Sequence, residues 1–283
     1  MLTKKPIPIR PPQQDELSKL LKQKHLTTAQ LEAVIDQVKH PPQHSPIVRH
    51  EWGDKRVRIG LASDLHIGSK FQDQAALEDA FKRFKSEGVE AVYLAGDITE
   101  GYNMRPGHSY ECSLHGADDQ VKGVVDRVPR IGKPLYFILG DHDHSHYKNA
   151  GHDIGPSIAD KRDDMTYLGL FSAKIALGKD AMIELSHPAK GTAYALSYQI
   201  QKMIESMEAG SKPNILAVGH YHKVEQLFYR NVHAFQTGTL QNQTGWMRRM
   251  NISAHKGAWL LDVYLHPKKG VDKIVSTLIP YYD

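Results

Sequence analysis

The chain has 283 residues, of which 40% are apolar and 24% charged, and a formal net charge of +4. That composition suits one large domain, or one domain with an appendage, and the mild positive charge is compatible with a phosphate-bearing partner without requiring one. A lone cysteine, Cys112, rules out an internal disulfide, no apolar run approaches the roughly 18 residues of a membrane helix, and the proline-rich start is a poor secretion signal, so a cytoplasmic protein is expected.

Residues 1–48 are expected to form a proline-rich segment and a helical appendage, with the main domain spanning residues 49–283. Leu17, Leu20 and Leu21 share one helical face. In a second helix Thr27 and Gln30 fit a capping box, and Leu31, Val34, Ile35 and Val38 follow the helical spacing. Two readings stand for this pair: a helix-turn-helix with Lys19, Lys22 and Lys24 on DNA phosphates, or a packing hairpin with a solvated lysine face. The second is favoured. Residues 40–46 read as a linker.

The main domain opens with a strand over residues 56–63 that ends in Asp64-Leu65-His66. The spacing of two lets Asp64 and His66 face one side of an extended chain and chelate one cation. Helical spacing follows over residues 74–84. A buried strand, residues 92–95, then delivers Asp97. Strand, helix, strand predicts a parallel crossover. An irregular polar stretch, residues 102–115, is long enough to suggest function, and contains His108 and His115, which either touch substrate or stand on the surface. A helix is predicted over residues 118–128 and a buried strand over 135–139, ending in Gly140-Asp141-His142-Asp143-His144. The second half repeats the scheme: a strand to Ser186 before His187, a helix over 195–207, and a strand over 214–218 before Gly219-His220-Tyr221-His222. Two histidines around one residue at a strand end suit metal. β structure is predicted at residues 224–229, 232–237, 258–265 and 274–279. The histidine count of 17 agrees with a search for metal.

Collected in order, Asp-x-His, Gly-Asp, Gly-Asp-His-Asp, His and Gly-His-x-His resemble the calcineurin-like metallophosphoesterase superfamily, from about Val57 to the carboxyl terminus. The resemblance implies an α/β fold, a two-sheet αββα sandwich, with a dinuclear metal site. It implies that Asp64, His66, Asp97 and His222 hold one ion and that Asp97, Asp141, His187 and His220 hold the other. His142 would stand near the leaving group, and Asp143 would orient a histidine through its ring N–H. The family usually has Asn where this chain has Asp141. The extra negative charge should tighten cation binding while weakening stabilisation of phosphoryl oxygens.

Paired cations about 3.5–4 Å apart can polarise a phosphoryl group and acidify a bridging water. Mixed carboxylate and imidazole donors suit Mn(II), the favoured metal, or Fe or Zn. The run Gly96-Asp97-Ile98-Thr99-Glu100-Gly101 lacks the arginine of the family's protein phosphatases. Residues 229–232 and 237–244 are similar to the exonuclease small subunit of archaeal D-family DNA polymerases, and the metal motifs are shared with the DNA-repair nucleases. The expectation is therefore a DNA nuclease, with exonuclease action favoured. RNA or a small phosphoester is an alternative substrate, through phosphomonoesterase or cyclic-nucleotide phosphodiesterase activity; a nucleic-acid-binding scaffold with a slow site is a further one. Tyr229, Arg230, Trp246, Arg248 and Arg249 interleave aromatic and basic residues that could stack on bases and meet phosphates, or could serve as core and solvated surface. Lys70 is a further candidate phosphate contact.

Overall fold

The computed structural model describes residues 48–50, 56–189, 191, 193–208, 210–268 and 270–282. The appendage helices expected within residues 1–48 lie outside the described residues, apart from the last position. Two six-stranded mixed sheets organise what is described. One has the order β12-β11-β2-β3-β4-β5, the other β1-β6-β7-β8-β10-β9. The strands are β1 (Val48–Arg49), β2 (Arg56–Ala62), β3 (Ala91–Ala95), β4 (Leu135–Leu139), β5 (Met165–Leu170), β6 (Ser172–Ala176), β7 (Met182–Ser186), β8 (Ile215–Val218), β9 (Val224–Tyr229), β10 (Val232–Thr237), β11 (Lys256–His266) and β12 (Gly270–Tyr281). The helices are α1 (Gln74–Ser86), α2 (Ala117–Arg127), α3 (Asp141–Ala150), α4 (Ile154–Lys161), α5 (Tyr198–Ser206) and α6 (Gly245–Arg249).

The alternation of β2 explains the layering. Val57, Ile59 and Leu61 point into a buried cluster with Ile175, Ile183, Leu185, Ile215 and Ala217 of the facing sheet. Ala62 belongs to a different cluster, with Leu77, Phe81 and Phe84 of α1 and Val121 and Val124 of α2. On the far side, Ile200 and Ile204 of α5 pack on Leu216 and Val218 of β8. Each sheet thus has the other sheet on one face and helix on the other, the αββα sandwich expected. α1 comes close to the sheet at Gly60: a Cβ there would stand 3.0 Å from the Phe84 ring. Asp73 starts α1 by accepting the Ala76 N–H at 3.0 Å.

β2, β3, β4 and β5 run parallel, as do β7, β8 and β10. Parallel strands present their carboxyl ends on one edge, so the residues just beyond β2, β3 and β4 emerge together, as do those beyond β7 and β8. Several elements were not anticipated: α3, α4, α6 and the strands β1, β5 and β6. The α3 sequence is too polar for an apolar stripe; its buried residues include Asp143, Ser145 and His146. Among the described residues, no helix is long and apolar enough to cross a membrane.

Arg162, fully buried beyond α4, holds several elements at once. Its guanidinium pairs both oxygens of Asp164, at 2.7 and 2.8 Å, and donates to the Val128 carbonyl at 2.8 Å, closing the end of α2. Replacement by Met leaves these acceptors without their donor. Arg162→Met is expected to lower unfolding stability by roughly 3–5 kcal/mol, read as a shift in urea midpoint at unchanged slope.

Candidate metal centre

Each predicted ligand stands just past the end of a strand: Asp64 and His66 past β2, Asp97 past β3, Asp141 past β4, His187 past β7, and His220 and His222 past β8. Neighbouring connections are stitched together, because the Asp64 N–H donates to the Gly96 carbonyl at 2.9 Å and the His66 N–H to the Asp97 carbonyl at 3.1 Å. Five of the seven take up the left-handed conformation: Asp64 (φ 52°), His66 (49°), Asp97 (50°), His220 (77°) and His222 (52°). Non-glycine residues held there cost of order 1–3 kcal/mol each, and such backbone persists where surrounding contacts over-determine it.

Six of the seven predicted ligands converge in two groups, and His66 also belongs to a third with Glu100 and His142. Ligand atoms of Asp64, His66 and His222 all lie within 4.8 Å of one another, and so do those of Asp97, His187 and His220. His66 Nε2 and His222 Nε2 stand 3.0 Å apart, with His222 Nε2 3.2 Å from Asp64 Oδ1. In the second group His187 Nε2 lies 3.2 Å from Asp97 Oδ2, yet this buried nitrogen has no properly directed hydrogen bond. Imidazole nitrogens and carboxylate oxygens crowded this closely, with His187 Nε2 left without a hydrogen bond, fit a shared cation. The Asp141 carboxylate lies 3.5 Å from His220 Nδ1, at the rim of the second group.

The charges are consistent with that fit. Asp64 and Asp97 are buried, which alone would raise their pKa values, but the histidines outweigh burial and hold both carboxyls below the ordinary value. Burial pulls His187 down, and the adjacent Asp97 carboxylate overrides it and lifts His187 to about 10. The Ala95 carbonyl accepts from His187 Nδ1 at 2.9 Å, so Nε2 is the nitrogen directed at Asp97. Burial also lowers His142, but Asp97 and Glu100 together raise it.

Backbone and buried acids brace the cage. Gly140 lies so close that a Cβ there would stand 2.3 Å from Asp97 Oδ1 and 2.6 Å from His187 Nε2. The expectation for Asp143 needs correction. Its carboxylate does not orient a histidine ring; it accepts the backbone N–H groups of Ile98 (3.0 Å), Thr99 (2.7 Å) and Gly140 (2.9 Å), and the Thr99 hydroxyl (2.7 Å). From the start of α3 it thus ties the end of β3 to the end of β4. Burial and the Asp97 carboxylate push Asp143 up to about 6 against those hydrogen bonds.

Glu100 was not anticipated as a site residue. It accepts from His66 Nδ1 at 2.9 Å, His108 Nε2 at 3.0 Å and Gln241 Nε2 at 2.9 Å. Fixing His66 Nδ1–H in this way leaves His66 Nε2 free to face Asp64 and His222. The signal available in sequence was an acid three residues after Asp97, in the same connection between Gly96 and Gly101. His142 Nδ1 is held by the Glu100 carbonyl, and the His142 N–H donates to Asp97 Oδ1 at 2.9 Å.

A cavity of about 470 Å³ opens over the cage; its lining includes His66, Asp97, Asp141, His142, His220 and His222, and also Met104, Arg105, Trp246, Met247 and Ile252. Of the substrate-contact candidates, Trp246 alone lines it. His108 is buried against Glu100, so it supports the cage from behind. Lys70 Nζ donates to the Tyr110 carbonyl at 2.7 Å. His115, Arg248 and Arg249 are exposed and do not line the cavity. Tyr229 and Arg230 are at the wrong end. The β9–β10 hairpin turns beside them, whereas Gln236, paired with Val218, marks the end of β10 nearest His220. Tyr229 instead donates to Glu205 at 2.8 Å.

Residues 57–249, more than half of the chain, match the family model of the calcineurin-like phosphoesterase superfamily domain. The chain is similar to the DNA polymerase II small subunit of Methanothermobacter thermautotrophicus, 25% identical over 260 residues that cover 74% of this chain and 52% of that protein. Its similarity to the Halobacterium salinarum DNA polymerase II small subunit is 22% over 260 residues, covering 75% and 48%. The chain therefore spans about half the length of the curated relatives it matches. Among solved structures, a novel archaeal phosphodiesterase aligns with 79% of this chain and 100% of its own at 13% identity and a TM-score of 0.44. With its motifs past the strand ends of a two-sheet sandwich and the family match over them, this chain belongs to the calcineurin-like phosphoesterase superfamily.

Proposed function

We propose that this protein is a metal-dependent phosphodiesterase acting on DNA, with removal of terminal nucleotides favoured over internal cleavage. The observation that carries this reading is the pair of Asp/His groups, each drawn within 4.8 Å at neighbouring strand ends. Similarity to DNA polymerase small subunits supports DNA as the substrate. Asp64, His66, His222 and Asp97, His187, His220 would hold two divalent ions, with Asp141 beside the second; Mn(II) is favoured and Fe or Zn are alternatives. Such ions, when bound, supply Lewis-acid charge to the phosphoryl oxygens and a nucleophile at neutral pH. The residues do the rest. His142, its Nδ1 fixed by the Glu100 carbonyl, keeps Nε2 to deliver a proton to the departing oxygen. Asp143 holds the β3 and β4 connections so that Asp97 and His142 keep their relative positions. Glu100 sets the tautomer of His66.

A second reading, hydrolysis of a small phosphoester such as a cyclic nucleotide, is favoured by one observation: the cavity is compact and has apolar side chains in its lining, unlike an open basic groove.

Labelled single- and double-stranded DNA, a cyclic nucleotide and a phosphomonoester, each with Mn, Mg, Zn and Fe in turn, separate these readings. Mn-dependent DNA degradation that His142→Ala lowers by about 10²–10⁴-fold is expected. Turnover confined to the small esters would replace DNA as the substrate. Glu100→Gln removes the carboxylate that accepts from His66, and about 10–100-fold weaker metal binding is expected by calorimetric titration. Unchanged affinity would remove Glu100 from the support of the centre.

A further inference from the structure

The cavity over the cage has two unlike walls. One carries the carboxylates and imidazoles. The rest of the lining includes the apolar Met104, Trp246, Met247 and Ile252, and the cation Arg105. The indole is held in place. Glu111 Oε1 accepts the Trp246 backbone N–H at 3.1 Å, and the other Glu111 oxygen pairs with Arg105. The Arg105 guanidinium in turn lies 4.5 Å from the centroid of the indole ring. This clamp joins the long loop after Gly101 to α6, and it spends the arginine's charge on Glu111. The wall therefore offers a fixed aromatic surface with no unspent charge, facing a site suited to a phosphate.

We infer that this wall takes one nucleobase, stacked against Trp246, while its phosphodiester lies on the cage. The inference rests on the phosphodiesterase reading above. A ligand spanning the cavity needs an anionic end for the cage and a planar, neutral end for the wall, and a nucleotide has both. A volume of about 470 Å³ falls at the lower part of the range for small-ligand sites, roughly 300–1,000 Å³, and holds one nucleotide rather than a stretch of duplex. Two polar side chains in the lining have groups already committed. The Gln241 amide donates to Ser69 and Glu100, and the Thr244 hydroxyl accepts from Met247. Recognition is therefore by stacking and tolerates any base. The nucleotide comes either from the end of a DNA strand or from a free nucleotide diester.

The test compares single-stranded oligonucleotides that end in an ordinary nucleotide or in a base-free tetrahydrofuran residue, with thymidine 3′,5′-cyclic monophosphate as the free-diester arm. The expected result is a preference for the base-bearing end, or for the cyclic nucleotide over a base-free cyclic diester, of about 5- to 150-fold in kcat/KM, the range that stacking supplies. Trp246→Ala should bring that ratio close to one, and the four bases should be preferred about equally. Whichever base-bearing substrate turns over faster identifies the source. A binding arm is independent of turnover: thymidine 5′-monophosphate should quench the fluorescence of the intact protein, and Trp246→Phe, which keeps Trp52 and Trp259, should lose the quench. Cleavage with no base preference, unchanged by Trp246→Ala, overturns the inference and leaves the phosphodiesterase standing. Absence of hydrolysis with every metal sinks the phosphodiesterase reading; the quench, kept by the intact protein and lost in Trp246→Phe, would then still support the base site, and no quench would overturn it.

Discussion

The structure depends on the proximity of Asp97 to the imidazoles around it. A carboxylate with 2% exposure is costly unless opposite charge and donors surround it. Here a backbone N–H from His142 reaches one oxygen, and His187 Nε2 stands 3.2 Å from the other. Meeting that demand requires β3, β4 and β7 to end at the same place. The parallel strands of each sheet and the face-to-face packing of the two sheets produce that meeting point. The buried cluster between the sheets, built from alternate residues of β2, β7 and β8, fixes how they face each other. Packing energy in the interior thus maintains the electrostatics at the edge.

Much of this was legible in the chain. The apolar run Leu135–Leu139 before Gly140 marks β4 with its observed ends, because a strand buried on both faces needs continuous apolar residues; β9 and β10, more mixed in composition, also have the expected ends. The motifs at strand ends were legible for the same reason: each polar cluster interrupts an apolar run at a fixed place. α3 was not legible. Its residues serve the site and the backbone amides, so they carry no apolar stripe, and the periodicity that marks α1 is missing. Glu100 was hidden because its partners, His66, His108 and Gln241, are remote in sequence and meet only after folding. Tyr229 and Arg230 show the opposite error. Their composition suggested nucleic acid, but a hairpin reverses the chain, and composition does not reveal which end of a sheet a turn occupies.

Local conformation adds a second constraint. Asp64, His66, Asp97, His220 and His222 hold a backbone form that glycine adopts most easily. Glycine would relieve strain at each position but bring no ligand atom. The chain keeps functional side chains there and places glycine beside them: the absent Cβ of Gly140 is what lets the β4 connection approach Asp97 and His187. Hydrogen bonds between connections, such as Asp64 to Gly96, and the four accepted by Asp143, hold the strained backbone in place.

Each group of ligand atoms draws on both sheets. Asp64 and His66 come from one and His222 from the other; Asp97 comes from one, His187 and His220 from the other. Any ion held by either group is a rivet through the sandwich. It recognises only the assembled pair of layers, so capture of the ion and docking of the layers form one linked equilibrium, each tightening the other by the same free energy.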